Sequence, residues 1–267
     1  MDRFARWLKS RLRHDSLLWR LLRSVRLAMG IEIRGLKVHA MLKSLGRSKR
    51  SVFFIQIGSN DASQGDPLRQ FVLTRPWTGI MVEPVKYVFD RLSENYRHRS
   101  NLAMENIAIA ATNGSQDFFH LAQTDEDLPS WYAQLGSFSR QTVMDHADSI
   151  PDIEDRIIST QVTCMTFDAL CQKHNIQQID LIHIDTEGYD FEIIKLIDLD
   201  RYQPTLVIYE HKHLDDRNKA DCRSHLESNG YDAIEDGRDT VALHKAEIEA
   251  AKSRLAKTWK SIKKAAP

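Results

Sequence analysis

Residues 179–195, IDLIHIDTEGYDFEIIK, place the tightest limit on what this 267-residue chain can become. An apolar run (Leu181, Ile182, Ile184) stops abruptly at Asp185, Glu187 and Asp190, with Gly188 among them, and an amphipathic segment starts at Phe191. A buried strand that ends in acids and turns through a glycine into a helix is how an open α/β sheet presents side chains. Ligands in such sheets sit outside the carboxyl ends of the strands. Asp185 and Glu187 are therefore expected to face a crevice.

The rest of the chain repeats the pattern. Strands are predicted at Val52–Ile57, Gly79–Val82, Leu102–Ala110, Ile179–Ile184 and Thr205–Tyr209, with helices near 67–73, 85–96, 167–174, 190–196 and 215–228. Gln116–Leu121 and Gln161–Cys164 read as an added pair of strands, separated by an irregular stretch over Asp125–Ser139. Tyr231–Glu235 and Thr240–His244 form a hairpin across Asp236-Gly237, a favoured turn dipeptide. Strand–helix alternation closed by an antiparallel hairpin predicts a doubly wound α/β sheet. That hairpin also separates the common methyltransferase sheet from a nicotinamide-binding one.

The formal net charge of zero hides an uneven distribution. Residues 1–50 carry 14 Lys/Arg against 3 acids, residues 51–244 carry 16 against 32, and residues 245–267 carry 7 against 2. These boundaries divide the chain into a basic helical extension (1–50), an acidic body (51–244) and a basic C-terminal helix (245–267). Leu18, Leu21, Leu22, Val25 and Met29 share one face of a helix, with arginines opposite. Such a face over residues 1–29 suits either an anionic membrane surface or the protein's own body. Basic residues without a recognised nucleic-acid fold are a poor nucleic-acid signal. No apolar run reaches the ~20 residues of a membrane span. Cys164, Cys171 and Cys222 form no paired spacing, so a reducing, cytoplasmic setting is expected, with peripheral contact at the inner face of the membrane as a further expectation. Oligomeric state is not legible.

The first strand runs into Gly58-Ser59-Asn60-Asp61, and the second ends at Glu83-Pro84. A glycine there lets backbone approach a ligand, and an acid on the second strand accepts from two ribose hydroxyls. Nicotinamide and adenosylmethionine sites share this pairing. A dinucleotide needs G-x-G-x-x-G for its pyrophosphate, however, and no second glycine follows in register. Asp61 repels a pyrophosphate and is compatible with an ammonium and a sulfonium, so S-adenosylmethionine fits better.

Taken together, FIQIGSND, VEP, ENIAI, DLIHIDTEGYDFEIIK and IYEHKHL, in that order, closely resemble the FkbM family of S-adenosylmethionine-dependent methyltransferases. The resemblance covers about Phe53–His244 and leaves both basic ends outside. It implies a class I methyltransferase, Rossmann-like, with a seven-stranded sheet, and methylation of hydroxyl oxygens on sugars or polyketides. By position it implies Gly58, Asn60 and Asp61 at the methionine end of the cofactor, Glu83 at the ribose, Asn106 near the adenine, and Asp185 close to the reacting methyl, with Ser59 and Pro84 as further expected cofactor-binding residues. The chain departs from the pattern at Gln56, where many class I enzymes carry an acid, and at Ala62, where this family often has Gly.

Methyl transfer to oxygen is mostly alignment, but a sugar hydroxyl must also lose a proton to a carboxylate or His. Asp185, Glu187, Glu210 and His211 are the candidates, with Asp185 and His211 favoured as base and not separable. A divalent metal on His183, Asp185, Glu210 and His211 is conceivable but lacks a standard ligand spacing, so none is expected. Trp131, Tyr132 and Ser137, in the irregular stretch, and His213 are expected to meet the acceptor, the aromatics as a lid. The expected function is O-methyl transfer to a saccharide or glycan precursor. Its rivals are a nicotinamide-dependent sugar oxidoreductase, an RNA methyltransferase recruited by the basic ends, and a non-enzymatic scaffold.

Overall fold

The computed structural model describes residues 35–264 apart from 64, 125, 127, 129, 130, 151, 251 and 252. The amphipathic helix expected over residues 1–29 lies outside the described residues. The first half of the main sheet comprises α1 (Leu36–Ser48), β1 (Phe53–Ile57), α2 (Arg69–Thr74), β2 (Thr78–Val82), α3 (Lys86–Asn95) and β3 (Leu102–Glu105). An inserted unit follows: β4 (Ala108–Ile109), β5 (Gly114–Leu121), β6 (Gly136–Ser137), α4 (Arg140–Met144), α5 (Ile153–Arg156) and β7 (Ile157–Met165). The chain then returns through α6 (Phe167–Lys173), β8 (Leu181–Ile184), α7 (Asp190–Lys195), α8 (Leu199–Tyr202), β9 (Leu206–Glu210) and α9 (Asp216–Ser228). It closes with β10 (Tyr231–Asp236), β11 (Asp239–His244), α10 (Lys245–Glu249) and α11 (Arg254–Lys264).

Among the described residues, seven strands form one sheet in the order β10-β11-β9-β8-β1-β2-β3. Strands β3, β2, β1, β8 and β9 are parallel, and β11 runs antiparallel between β9 and β10. Strand order reverses between β1 and β8, the switch point where such sheets take ligands. Side chains alternate between the faces, as the two-residue strand period requires. Ile55, Ile57, Ile182, Ile184 and Val207 pack under α6 and α7, against Phe167, Leu170, Phe191 and Ile194. Phe54, Met81, Leu181, Leu206 and Ile208 pack under α1 and α11, against Met41, Leu42, Leu45, Leu255 and Trp259.

Residues 36–48 and 254–264, which charge alone sets apart from the body, thus supply the layer over one face. The carboxylate of Asp236 accepts from the Lys37 and Val38 amides at 2.6 and 2.8 Å, satisfying the open end of α1 from a distant strand. Trp259 Nε1 donates to Asp232 at 2.8 Å. No helix among the described residues is long and apolar enough to cross a membrane.

Two expected elements are broken. Leu102–Ala110 divides at Asn106-Ile107, so that β3 pairs with β2 and β4 pairs with β7. The cause is the Asn106 side chain, which donates to the carbonyls of Glu83 and Pro84 at 2.8 and 2.9 Å and draws the chain over the end of β2. The basic helix expected over Lys245–Lys264 divides into α10 and α11. Ser253 caps the second piece, its Oγ accepting from Ala256 N at 3.3 Å, and the turn lets Leu255 and Trp259 reach the sheet. In the insert, order β4-β7-β5-β6, the pairing of β5 with β7 runs on to Leu121↔Ile157.

Candidate active site

The loop after β1 is folded tightly against the ends of both neighbouring strands. Gly58 and Ser59 amides donate to Val82 O at 3.1 and 2.9 Å, and Ser59 Oγ bridges Gln56 O and Val82 N. Gly58 has φ +73°, and a Cβ there would stand 1.9 Å from the Asp185 carbonyl oxygen. Only glycine lets β1 and β8 close to this distance. Asn60 and Ala62 also take left-handed conformations, φ 52° and 47°. Ala62 therefore sits where a glycine is the unstrained choice, and nothing in the structure explains the departure at that position.

Glu83 is buried, and its two oxygens accept from the Asn60 and Val85 amides at 2.9 Å each. Burial raises its pKa to about 7, the Asp61 charge adds to that, and the two amides pull against it. The Gly58 loop and the Glu83 turn are thus one unit. Asn106, with its amide hydrogens on the Glu83 and Pro84 carbonyls, is a brace for that turn. Asp61 Oδ1 accepts from Ser63 N at 2.9 Å.

Across the switch point, Asp185, Glu187 and Glu210 each offer an oxygen within 4.8 Å of the others. Asp185 keeps exposed surface, yet it lies at the end of β8 with the mass of the domain around it. That crowding, with the charges of Glu210, Glu187, Asp190 and Asp239, pushes its carboxyl well above the ordinary aspartate range. Because the carboxylate still meets solvent, the like charges are the cause that stands on geometry. Glu210 is buried, and burial together with Glu187 raises it too. Glu187 goes the other way: burial raises its pKa, but His213 Nε2 at 3.0 Å outweighs that and lowers it. The same contact holds His213 above the ordinary histidine range.

Asp190 organises this edge. Fully buried, it accepts from Thr186 Oγ1 at 3.1 Å and from the amides of Thr186, Gly188 and Glu210 at 3.2–3.4 Å. It joins the end of β8 to the end of β9, and burial raises its own pKa to about 6. Asp190→Ala leaves three amides without their acceptor and is expected to cost roughly 2–4 kcal/mol in urea unfolding, with Asp190→Asn recovering part of the loss.

The predicted residues do not all converge. His211 turns away from Glu210, as neighbours on a strand do, and places Nδ1 2.9 Å from Thr240 Oγ1. His183 is buried on the α1 face of β8, where burial lowers its pKa to about 4. Neither reaches the carboxylate cluster, so the constellation of His183, Asp185, Glu210 and His211 does not assemble. Tyr132 is buried with Leu121, Leu135, Val143 and Ile153, its hydroxyl on Ala122 O at 3.0 Å. Ser137 is buried in β6, opposite Phe119. Tyr132, in a 3₁₀ turn over Tyr132–Gln134, is part of a satellite core, and Ser137 lies in the short strand that pairs with β5. Trp131 stays partly exposed, 5.9 Å ring to ring from His146, which lies 5.4 Å from His213. His146, which sequence reasoning passed over, is brought to the crevice by the insert. Nothing in its local sequence marks it.

A profile for the methyltransferase FkbM domain matches residues 56–233. The chain is 29% identical over 161 residues to the 2-O-methyltransferase NoeI of Sinorhizobium fredii, a match over 60% of this chain and 62% of that protein. Among solved structures, an FkbM methyltransferase from Methylobacillus flagellatus is similar at TM-score 0.46 and 10% identity, over 73% of this chain and 44% of that one. The N-terminal domain of human METTL16 is similar at TM-score 0.41 and 12% identity, over 78% and 67%. With the family's domain matched from β1 to β10, the chain belongs to the FkbM methyltransferases, enzymes that transfer a methyl group.

Proposed function

We propose that the chain is an S-adenosylmethionine-dependent O-methyltransferase whose acceptor is a hydroxyl of a saccharide or glycan precursor. The observation that carries this reading is the contact of Gly58 with the Asp185 backbone, which puts a carboxylate at the edge of the loop that takes the cofactor. The match to a 2-O-methyltransferase supports oxygen as the atom methylated. In this reading Gly58, Ser59, Asn60 and Asp61 hold the methionine end. Glu83 accepts from the ribose hydroxyls, and Asn106 with Pro84 keeps its turn in place.

Bound adenosylmethionine supplies an electrophilic methyl on a sulfonium. The chain's own share is to aim the acceptor oxygen and receive its proton. Asp185 is the base, and Glu210, Glu187 and His213 shape its charge. The Asp185 carboxylate would take the proton of the acceptor hydroxyl as that oxygen receives the methyl group the cofactor supplies. Calorimetry with adenosylhomocysteine and with NAD tests the cofactor, and binding only to NAD would overturn the reading. Labelled methyl transfer to saccharide hydroxyls tests the acceptor, and transfer to RNA instead would replace it.

Glu83 gives this reading a pH signature. The folded protein holds its proton up to about pH 7, so ligand-free stability is present at low pH and falls as pH rises through that value. Ribose binding needs the ionised form, so the melting-temperature gain from adenosylhomocysteine is expected to grow over the same window. Glu83→Gln flattens that pH dependence and weakens binding roughly ten- to a hundredfold, the worth of a charge-assisted hydrogen bond.

A further inference from the structure

The crevice holds a donor set that methyl transfer alone does not call for. One ligating atom each from His146, Glu187 and His213 lies within 4.8 Å of the others, and the same is true of Asp185, Glu187 and Glu210. Glu187 belongs to both, so the two triads merge into one pocket at the ends of β8 and β9. Gly188, φ +101°, lets the segment carrying Glu187 close on His213, where a Cβ would meet the His213 Cβ at 3.3 Å.

Three details separate this pocket from an ordinary group of surface acids. His146 Nδ1 lies 3.3 Å from Thr142 O, which places the ring proton there and leaves Nε2 as the free lone pair. Metal-binding imidazoles are held in this way. Glu210 Oε2 is buried with no hydrogen bond, and His213 Nε2 stands off from it at 3.5 Å. A buried carboxylate oxygen without a donor is costly, and a cation in the pocket removes the cost. Finally, the ammonium of exposed Lys212 lies 2.9 Å from His213 Nε2, so positive charge already rests at this spot on a side chain free to swing into solvent.

We propose that His146, Glu187 and His213, with Glu210 completing the shell and the Asp185 carboxylate left free beside it, bind a divalent transition-metal ion. Two imidazoles among carboxylates favour manganese, iron, cobalt or zinc over magnesium or calcium. An open position on the ion takes the acceptor oxygen and lowers the pKa of its hydroxyl, easing proton loss to the base. That role rests on the acceptor reading above, whereas the binding of the ion does not.

The test is cobalt(II) titration of the full chain after chelator treatment, with neither acceptor nor adenosylmethionine present. Visible absorption reports imidazole ligation, and quenching of Trp131 reports position, since its ring lies 5.9 Å from that of His146. One ion per chain is expected. His146→Ala and His213→Ala each weaken binding roughly tenfold or more. Lys212→Gln, which removes the competing charge, tightens it. His146 lies beyond the end of α4 on a partly exposed turn, so its replacement leaves the core intact, and thermal melts confirm the fold of each variant. No stoichiometric binding, equal binding by both histidine variants, or a preference for magnesium would overturn the site. An intact ion site in a protein that methylates no saccharide would instead overturn the acceptor.

Discussion

Gly58→Ala is expected to give a protein that folds less stably and binds adenosylhomocysteine at least tenfold more weakly. Two costs add. A left-handed conformation at an L-residue costs roughly 1–2 kcal/mol. A Cβ 1.9 Å from the Asp185 carbonyl oxygen must also force the ends of β1 and β8 apart, because the obstacle is backbone and cannot rotate away. Together they are expected to lower the melting temperature by roughly 4–12 °C, at 2–4 °C per kcal/mol for a domain of this size. Gly65→Ala separates the two costs. Gly65 has φ +77° but nothing within 4 Å of where a methyl would stand, so it bears the conformational cost alone. If Gly58→Ala behaves like Gly65→Ala in both melting and ligand titration, the close approach has no bearing on the cofactor.

Asp185→Asn removes the proposed base without changing the shape of the crevice. The expected loss in kcat is roughly 10²–10⁴-fold, with adenosylhomocysteine affinity retained. The wild-type rate rises with pH, because Asp185 must lose its proton and its neighbours hold its pKa well above the usual aspartate range. The variant loses that limb of the profile. His211→Ala serves as the contrast. Its ring is engaged by Thr240, so the variant keeps both the rate and the pH limb. Turnover by Asp185→Asn at the wild-type rate, with Glu210→Gln inactive, would move the base to Glu210.

The main sheet was legible because its strands are apolar runs that stop at Gly, Glu or Asp, and because the Asp-Gly turn announces the closing hairpin. The pairing of Gly58 with Glu83 was legible for a related reason: both are fixed by strand ends close in sequence. What escaped reading depends on distance. Nothing local distinguishes the Leu102–Ala110 strand from one that Asn106 will bend over the end of β2. Alternation along a strand puts Glu210 and His211 on opposite sides, a rule available from sequence that argues against reading the two as a pair. His146 could be found only by folding the insert onto the sheet. Trp131 and Tyr132 pack on the same satellite core, but Tyr132 is buried in it while Trp131 stays half-buried beside His146, a difference that only the folded insert decides.

The link between Asp236 and the first turn of α1 spans 199 positions. On a ribosome, Met41, Leu42 and Leu45 emerge long before β10, β11 and α11 exist to cover them. The face of the sheet they share with Leu255 and Trp259 stays bare until α11 has been made. Completion of this layer thus waits on α11, and a chain stopped before it presents an uncovered apolar surface to the folding machinery of the cell.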